Sequence, residues 1–340
     1  MKRISKGVLC AVIALTVLIL TACGDNDAQT ASFEAMDTLM SLTVYGGGSG
    51  IRESLSDRIY ELDALFDAVD ESSEIYRLNK EKSARVSEDT AALIRASLEL
   101  SRSMDGRFDI TVYPAVLEWG FTTGEYNIPD EETLKRLAES IDCSRVEQSG
   151  DTVAIPDGAM LDLGAVAKGY AADACLDILR GRGAKAAVLN LGGTIALFGE
   201  KPDGSPFRVG VADPDNPAGY FGYISCGEGV ISTSGGYERY FERDGKRYIH
   251  ILDPETAAPV DNGILSVTVI SDSGAAADAL STALFVMGLD KAVEYYRQGF
   301  RELGRDFIIL TGDGELYLTD GVYDSFTLAE GYDYKINRLE

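Results

Sequence analysis

The 340-residue sequence predicts an α+β protein with mixed or antiparallel sheets and packed helices. Three observations lead there. Apolar residues recur with both periods: every second position at Met40, Leu42 and Val44, and every third or fourth at Ile51, Leu55, Ile59, Leu62 and Phe66. Helical and strand-like segments are interleaved with no regular βαβ period, which argues against a doubly wound parallel sheet. Turn signals such as Ser149-Gly150-Asp151, Asp244-Gly245 and Gly312-Asp313-Gly314 are spaced for short hairpins. A hydrophobic content of 45% and a charged content of 25% place the chain among globular proteins.

The elements follow in order. Lys2, Arg3 and Lys6 precede an apolar run from Val8 to Leu20, shorter than the ~20 residues of a membrane span but suited to a signal peptide. The run ends in Leu20-Thr21-Ala22-Cys23-Gly24, which resembles a bacterial lipobox. Residues 1–22 therefore read as a lipoprotein signal peptide, Cys23 as the lipidation site, 23–35 as a flexible polar tether, and 36–340 as one folded domain. The alternative is an ordinary secretory signal with an incidental cysteine. The implied location is the extracytoplasmic face of the cell membrane, held by a lipid anchor.

A strand through Met40 and Val44 stops at Gly46-Gly47-Gly48, and the amphipathic helix from Ile51 to Phe66 follows. Helices are expected over Thr90–Leu100, over Asp130–Glu139 after Pro129, and from Gly164 to Leu179, closed by Gly181 and Gly183. Arg145 to Ile155 reads as a hairpin. Ala186 to Asn190 reads as a buried strand running into Gly192-Gly193. Further strands precede helices over Ala275–Met287 and Lys291–Gln298, and a last hairpin turns at Gly312. Cys143, Cys175 and Cys226 are far apart and lack a CxxC spacing, so they read as buried thiols, not as a disulfide framework or zinc site.

A net charge of −24, from 31 Lys plus Arg against 55 Asp plus Glu, argues against nucleic-acid binding. An anionic ligand would need a metal ion or backbone dipoles. Four stretches carry candidate chemistry. Asp162-Leu163-Gly164-Ala165 with Lys168 offers a helix start and a cation to a phosphate, or else a plain N-cap with a solvated lysine. Asn190-Leu191-Gly192-Gly193-Thr194 lets a backbone approach a ligand, or simply turns. Ile231-Ser232-Thr233-Ser234-Gly235-Gly236-Tyr237-Glu238-Arg239-Tyr240 sets hydroxyls beside glycines, ahead of His250, the single histidine, which reads as a base or a structural residue. Asp278 and Thr282, four apart, project from one helical face as hard oxygen ligands suited to Mg²⁺, or as a solvated Asp and a back-bonded Thr.

In this order these stretches resemble the ApbE family, the FAD:protein FMN transferases, from about Met36 to Gly288. The resemblance also includes Met36-Asp37-Thr38, Ser73 to Asn79, Gly106 to Pro114, Trp119-Gly120 and His250 to Pro254. It implies an enzyme that moves FMN from FAD, as substrate, to a Thr or Ser hydroxyl of a target protein and releases AMP. The implied partner carries a Ser-Gly-Ala-Thr-like acceptor segment, as in a membrane redox-complex subunit or an extracytoplasmic flavoprotein. The implied FAD contacts are Met36, Arg107, Phe108, Asp109, Asp162, Lys168 and the backbone near Ile251. The implied Mg²⁺ ligands are Asp278, Thr282 and the main-chain oxygen of Ala165, with His250 as the base. The sequence departs from the family pattern at Val69, where an aromatic is usual, at Ile249, where a second histidine is usual, and at Ala257, where glycine is usual. Against this reading stands a flavin-binding lipoprotein or an FAD pyrophosphatase yielding FMN and AMP. A generic solute-binding lipoprotein would share the anchor but not the motifs.

Overall fold

The computed structural model describes residues 28–299 and 305–340. Nine strands lie side by side in chain order: Ala28–Ala35, Thr38–Gly46, Ala184–Asn190, Thr194–Gly199, Gly229–Gly235, Ile264–Ser271, Asp306–Thr311, Glu315–Thr319 and Lys335–Leu339. Every neighbouring pair is antiparallel except the last, Glu315–Thr319 with Lys335–Leu339. The α+β class with a mixed sheet is therefore the observed one.

One face of the sheet carries the helices Ile51–Phe66, Glu88–Ser103, Ala167–Gly181 and Gly274–Met287. The first buries Ile51, Leu55, Ile59, Leu62 and Phe66, the five residues whose spacing predicts it. Each such side chain contributes roughly 1.5–3 kcal/mol when fully removed from water. The opposite face packs Ile195, Leu197, Ile231, Ile308 and Leu310 against Phe207, Val209 and Phe221 of a small second sheet. A third cluster of Trp119, Phe121, Phe241 and Leu252 holds the hairpin of Tyr240–Arg243 and Lys246–Ile249, which leads directly into His250.

Two helices meet where neither has a side chain. A Cβ on Gly169 would lie 2.0 Å from the carbonyl oxygen of Gly274, and one on Gly274 would lie 2.2 Å from that of Gly169. Only a Gly–Gly crossing allows that approach. It brings Asp173 of the first helix to the start of the second, where its carboxylate accepts from the Gly274 and Ala275 amides at 2.7 and 3.1 Å.

Several expectations need correction. The tether predicted over 23–35 is a strand from Ala28 to Ala35, paired along its whole length with Thr38–Gly46. Met36 and Asp37 form the two-residue turn between them, both at positive φ (49° and 59°), as a tight hairpin of this twist requires. The folded domain thus starts at Ala28, before Met36. Residues 1–22, Cys23 and residues 24–27 lie outside the described residues. The helix expected from Gly164 starts at Ala167, with Val166 as its N-cap; Asp162 is not the cap and instead accepts the Gly164 amide at 2.8 Å. Helices at Glu74–Glu81 and Tyr113–Trp119 and the final strand Lys335–Leu339 were not predicted. Cys143 and Cys175 are buried and free, their thiols pushed up to about 12 by loss of hydration, so both stay protonated.

Candidate active site

Asp278 is 4% exposed, near the start of the Gly274–Met287 helix, and three elements converge on its carboxylate. Oδ1 accepts from Thr194 Oγ1 at 2.6 Å and Ser232 Oγ at 2.5 Å; Oδ2 accepts from the Gly169 amide at 2.5 Å. One turn on, the half-buried Thr282 shares a 3.1 Å hydrogen bond with Ser234. The pairing has a simple geometric basis. Residues 232 and 234 point the same way from a strand and lie roughly 6.6 Å apart, while residues 278 and 282 share a helical face about 6 Å apart. The Ser-Thr-Ser run is the strand surface that matches this helix.

Gly169 is the third residue of its helix, so its amide has no partner within that helix. Asp278 supplies one, and Ala165 lies just ahead of the helix N-cap, Val166. Asp278, Thr282 and Ala165 thus supply oxygen donors only, with one formal charge. Among the described residues no group of three or more His, Cys, Asp or Glu side chains could hold a metal ion. A donor set this sparse does not cage a cation by itself; it fits Mg²⁺, which keeps waters and fills its shell with substrate phosphates.

Around this point the other motifs gather. Gly192 has no room for a side chain, because Thr38 Oγ1 lies 2.2 Å from where its Cβ would be. The Met36-Asp37-Thr38 turn is thereby seated on the Gly192-Gly193 loop. Asp37 lies 3.5 Å from the Arg239 guanidinium, and Glu238 reaches to 3.5 Å from the Cβ position of Gly193. Lys168, the second residue of its helix, reaches back toward the Gly164 carbonyl at 3.4 Å. Asp162 is fixed from behind, since its amide donates to Ile110 O at 2.8 Å and the preceding Leu161 is clamped at both backbone groups by buried Asn79.

His250 closes the circle. Its backbone amide donates to the Arg239 carbonyl at 3.0 Å, and Nδ1 lies 3.1 Å from the same oxygen. A carbonyl only accepts, so the neutral ring carries its proton on Nδ1 and leaves the Nε2 lone pair open. Loss of hydration, followed by the Arg239 charge, holds the imidazole down to about 4, so it is neutral at pH 7. Glu238 is exposed, with protein packed along part of its side chain. Partial loss of hydration pushes its carboxyl up to about 7, against the pull of Lys168 and Arg239 and with the repulsion of Asp278. Asp162 is also raised, chiefly by loss of hydration, while the Gly164 amide, Arg239 and Lys168 oppose. Lys168 and Arg239 each act on Asp162, Glu238 and His250, and Asp278 acts on Glu238, so these groups are electrostatic neighbours.

Some sequence-predicted contacts face elsewhere. Phe108 is 3% exposed in the main core, so only its backbone is left for a ligand. Both Asp109 oxygens are engaged, Oδ1 by the Thr111 amide and hydroxyl at 2.7 and 2.6 Å and Oδ2 by the Cys143 amide at 2.8 Å. Their role here is to shape the turn after Arg107. Arg107 is ion-paired with Glu255 at 2.7 Å, on the turn that follows His250. The Ile251 side chain is buried, and its carbonyl accepts the Val260 amide. The departure at Ala257 leaves the turn intact: the residue sits at φ 55°, and its carbonyl accepts Trp119 Nε1 at 2.8 Å. Holding an alanine there costs roughly 1–2 kcal/mol relative to glycine. Val69 is 58% exposed and packs no ring. The sequence reading quotes Thr194, Ser232, Glu238 and Arg239 within its candidate stretches but assigns none of them a ligand or catalytic role.

Comparison with known proteins agrees with this geometry. A family model described as the ApbE family matches residues 36–303. The chain is 32% identical to the FAD:protein FMN transferase of Vibrio cholerae over 298 residues, covering 83% of this chain and 88% of that protein. It is 31% identical to the Escherichia coli protein of the same name, covering 82% of each. The ApbE protein of Thermotoga maritima superposes with a TM-score of 0.82 at 31% identity, over 88% of this chain and 99% of that one. The Pseudomonas stutzeri flavinyl transferase ApbE gives 0.76 at 26% identity, over 86% and 93%. Fold, site and relatives together define an enzyme of the transferase class. Within that class the chain belongs to the ApbE family.

Proposed function

We propose that this enzyme transfers FMN from FAD to a Ser or Thr hydroxyl of a target protein, with Mg²⁺ as cofactor and AMP as leaving group. The observation that supports it most is a carboxylate, Asp278, held by three donors, together with a neutral imidazole, His250, whose Nδ1 is engaged and whose Nε2 is left to accept. Phosphoryl transfer asks little more of a protein than charge neutralisation and an aligned nucleophile. Asp278, Thr282 and Ala165 would hold Mg²⁺, which when bound offsets the negative charge of the pyrophosphate. Lys168 and Arg239 add positive charge in a chain of net charge −24. His250 Nε2 takes the proton of the acceptor hydroxyl as its oxygen bonds the FMN phosphorus. The phosphorus–oxygen bond to AMP breaks, and AMP leaves with the electron pair. Asp162 and the Met36 turn would contact FAD, and Arg107, paired with Glu255, braces the turn that follows His250.

The direct test is incubation of the enzyme with FAD, Mg²⁺ and an acceptor bearing a Ser-Gly-Ala-Thr-like segment. The expected result is flavin fluorescence that stays with the acceptor through a denaturing gel, with one AMP released per flavin attached. Release of free FMN and AMP with an unlabelled acceptor would replace this reading by an FAD pyrophosphatase. We also propose that Cys23 carries a lipid anchor on the extracytoplasmic side of the cell membrane. Cys23→Ala should then shift the active protein to the soluble fraction; a variant still membrane-bound after a salt wash would overturn the anchor.

A further inference from the structure

We infer that Thr194 is a positioning residue for the cation, acting through Asp278. This rests on the Mg²⁺ reading above and concerns how the chain prepares the donors. Thr194 is fully buried at the start of its strand, and its hydroxyl donates to Asp278 Oδ1 at 2.6 Å, beside the 2.5 Å bond from Ser232. The two hydroxyls lie 3.4 Å apart and converge on one oxygen from adjacent strands, the register pairing Ser232 with Thr194. Two donors on Oδ1 and one amide on Oδ2 fix the torsion of the carboxylate and leave part of its accepting capacity open. The same orientation holds the carboxylate against the Gly169 amide in the first turn of the neighbouring helix. Partners that orient a ligand in this way typically govern metal affinity by about 10–100-fold.

Thr194→Val keeps the shape of the side chain and removes only the hydroxyl. The test measures Mn²⁺ binding, as a probe for the Mg²⁺ site, by electron paramagnetic resonance on the full chain with saturating FAD present. Wild type, Thr194→Val, Thr194→Ser and Asp278→Asn are compared, with melting temperatures alongside. The expected result is Mn²⁺ affinity reduced by about 10–100-fold in Thr194→Val and largely restored in Thr194→Ser. Asp278→Asn should abolish binding. Equal Mn²⁺ affinity in wild type and Thr194→Val, with only a lower melting temperature in the variant, would overturn the inference and leave the metal reading standing. Wild type that binds Mn²⁺ no better than Asp278→Asn would overturn both.

Discussion

Asp278→Asn is expected to slow FMN transfer by at least about a thousandfold while leaving a folded protein. The magnitude follows from the several kcal/mol of charge stabilisation that a bound metal supplies, at 1.36 kcal/mol per factor of ten. Asparagine is the informative replacement because of the partners that Asp278 has. Alanine would strand the Thr194 and Ser232 hydroxyls and the Gly169 amide, each at about 1–3 kcal/mol when buried and unpaired. An asparagine keeps these bonds if its oxygen accepts the Gly169 amide and its NH₂ donates to the two hydroxyls, which can rotate to accept. What it loses is the negative charge. Rates should be followed against Mg²⁺ concentration, with a melting curve to confirm folding. A variant within tenfold of wild type at low Mg²⁺ would remove Asp278 from the metal site.

His250→Asn is expected to reduce transfer by about 10²–10⁴-fold, the usual contribution of a positioned base. Asparagine can still donate to the Arg239 carbonyl, so FAD affinity and melting temperature should change little. The pH dependence follows from a folded-state value held down to about 4, below the ordinary 6.5. The neutral, active ring persists as pH falls past 6.5, so kcat/KM, which reports the free enzyme, should hold until pH approaches 4. The limb in kcat should lie higher, because bound pyrophosphate favours the imidazolium. Stability changes over the same window. The unfolded chain takes up the proton near 6.5, so the stability due to the neutral ring is present above 6.5 and is lost as pH falls toward 4. Circular dichroism at each pH separates the two effects. An acid limb that survives in His250→Asn, or a variant that keeps its rate but melts much earlier, would make His250 structural.

Local elements were legible wherever their cause lay within a few residues. The five apolar positions from Ile51 to Phe66 are buried as their spacing requires. The hairpins at Gly150, Gly245 and Gly314 form where the turn residues stand. The strand Ala28–Ala35 was hidden because its inward residues, Gln29, Ala31, Phe33 and Ala35, are mostly small or polar and give almost no period-two signal. The strand Lys335–Leu339 was hidden for another reason, since it has one buried residue and exists only through its parallel partner.

The sequence by itself determined the α+β class, the family and the placing of Asp278 and Thr282 on one helical face. These depend on residue order and on the fixed periods of helix and strand. Tertiary structure decided what the carboxylate does. Thr194, Ser232 and Gly169 are 84, 46 and 109 residues away from Asp278 along the chain, and no local rule selects them. They meet because two glycines let two helices touch backbone to backbone, and because the strand register sets Thr194 beside Ser232. The same holds for His250. Its position is in the sequence, but its tautomer is set by the Arg239 carbonyl across a hairpin, and its low proton affinity by burial beside a cation. Hydrogen bonds and loss of hydration act between groups brought together by folding, so proton affinities and ligand orientation follow from the packed structure and not from residue order.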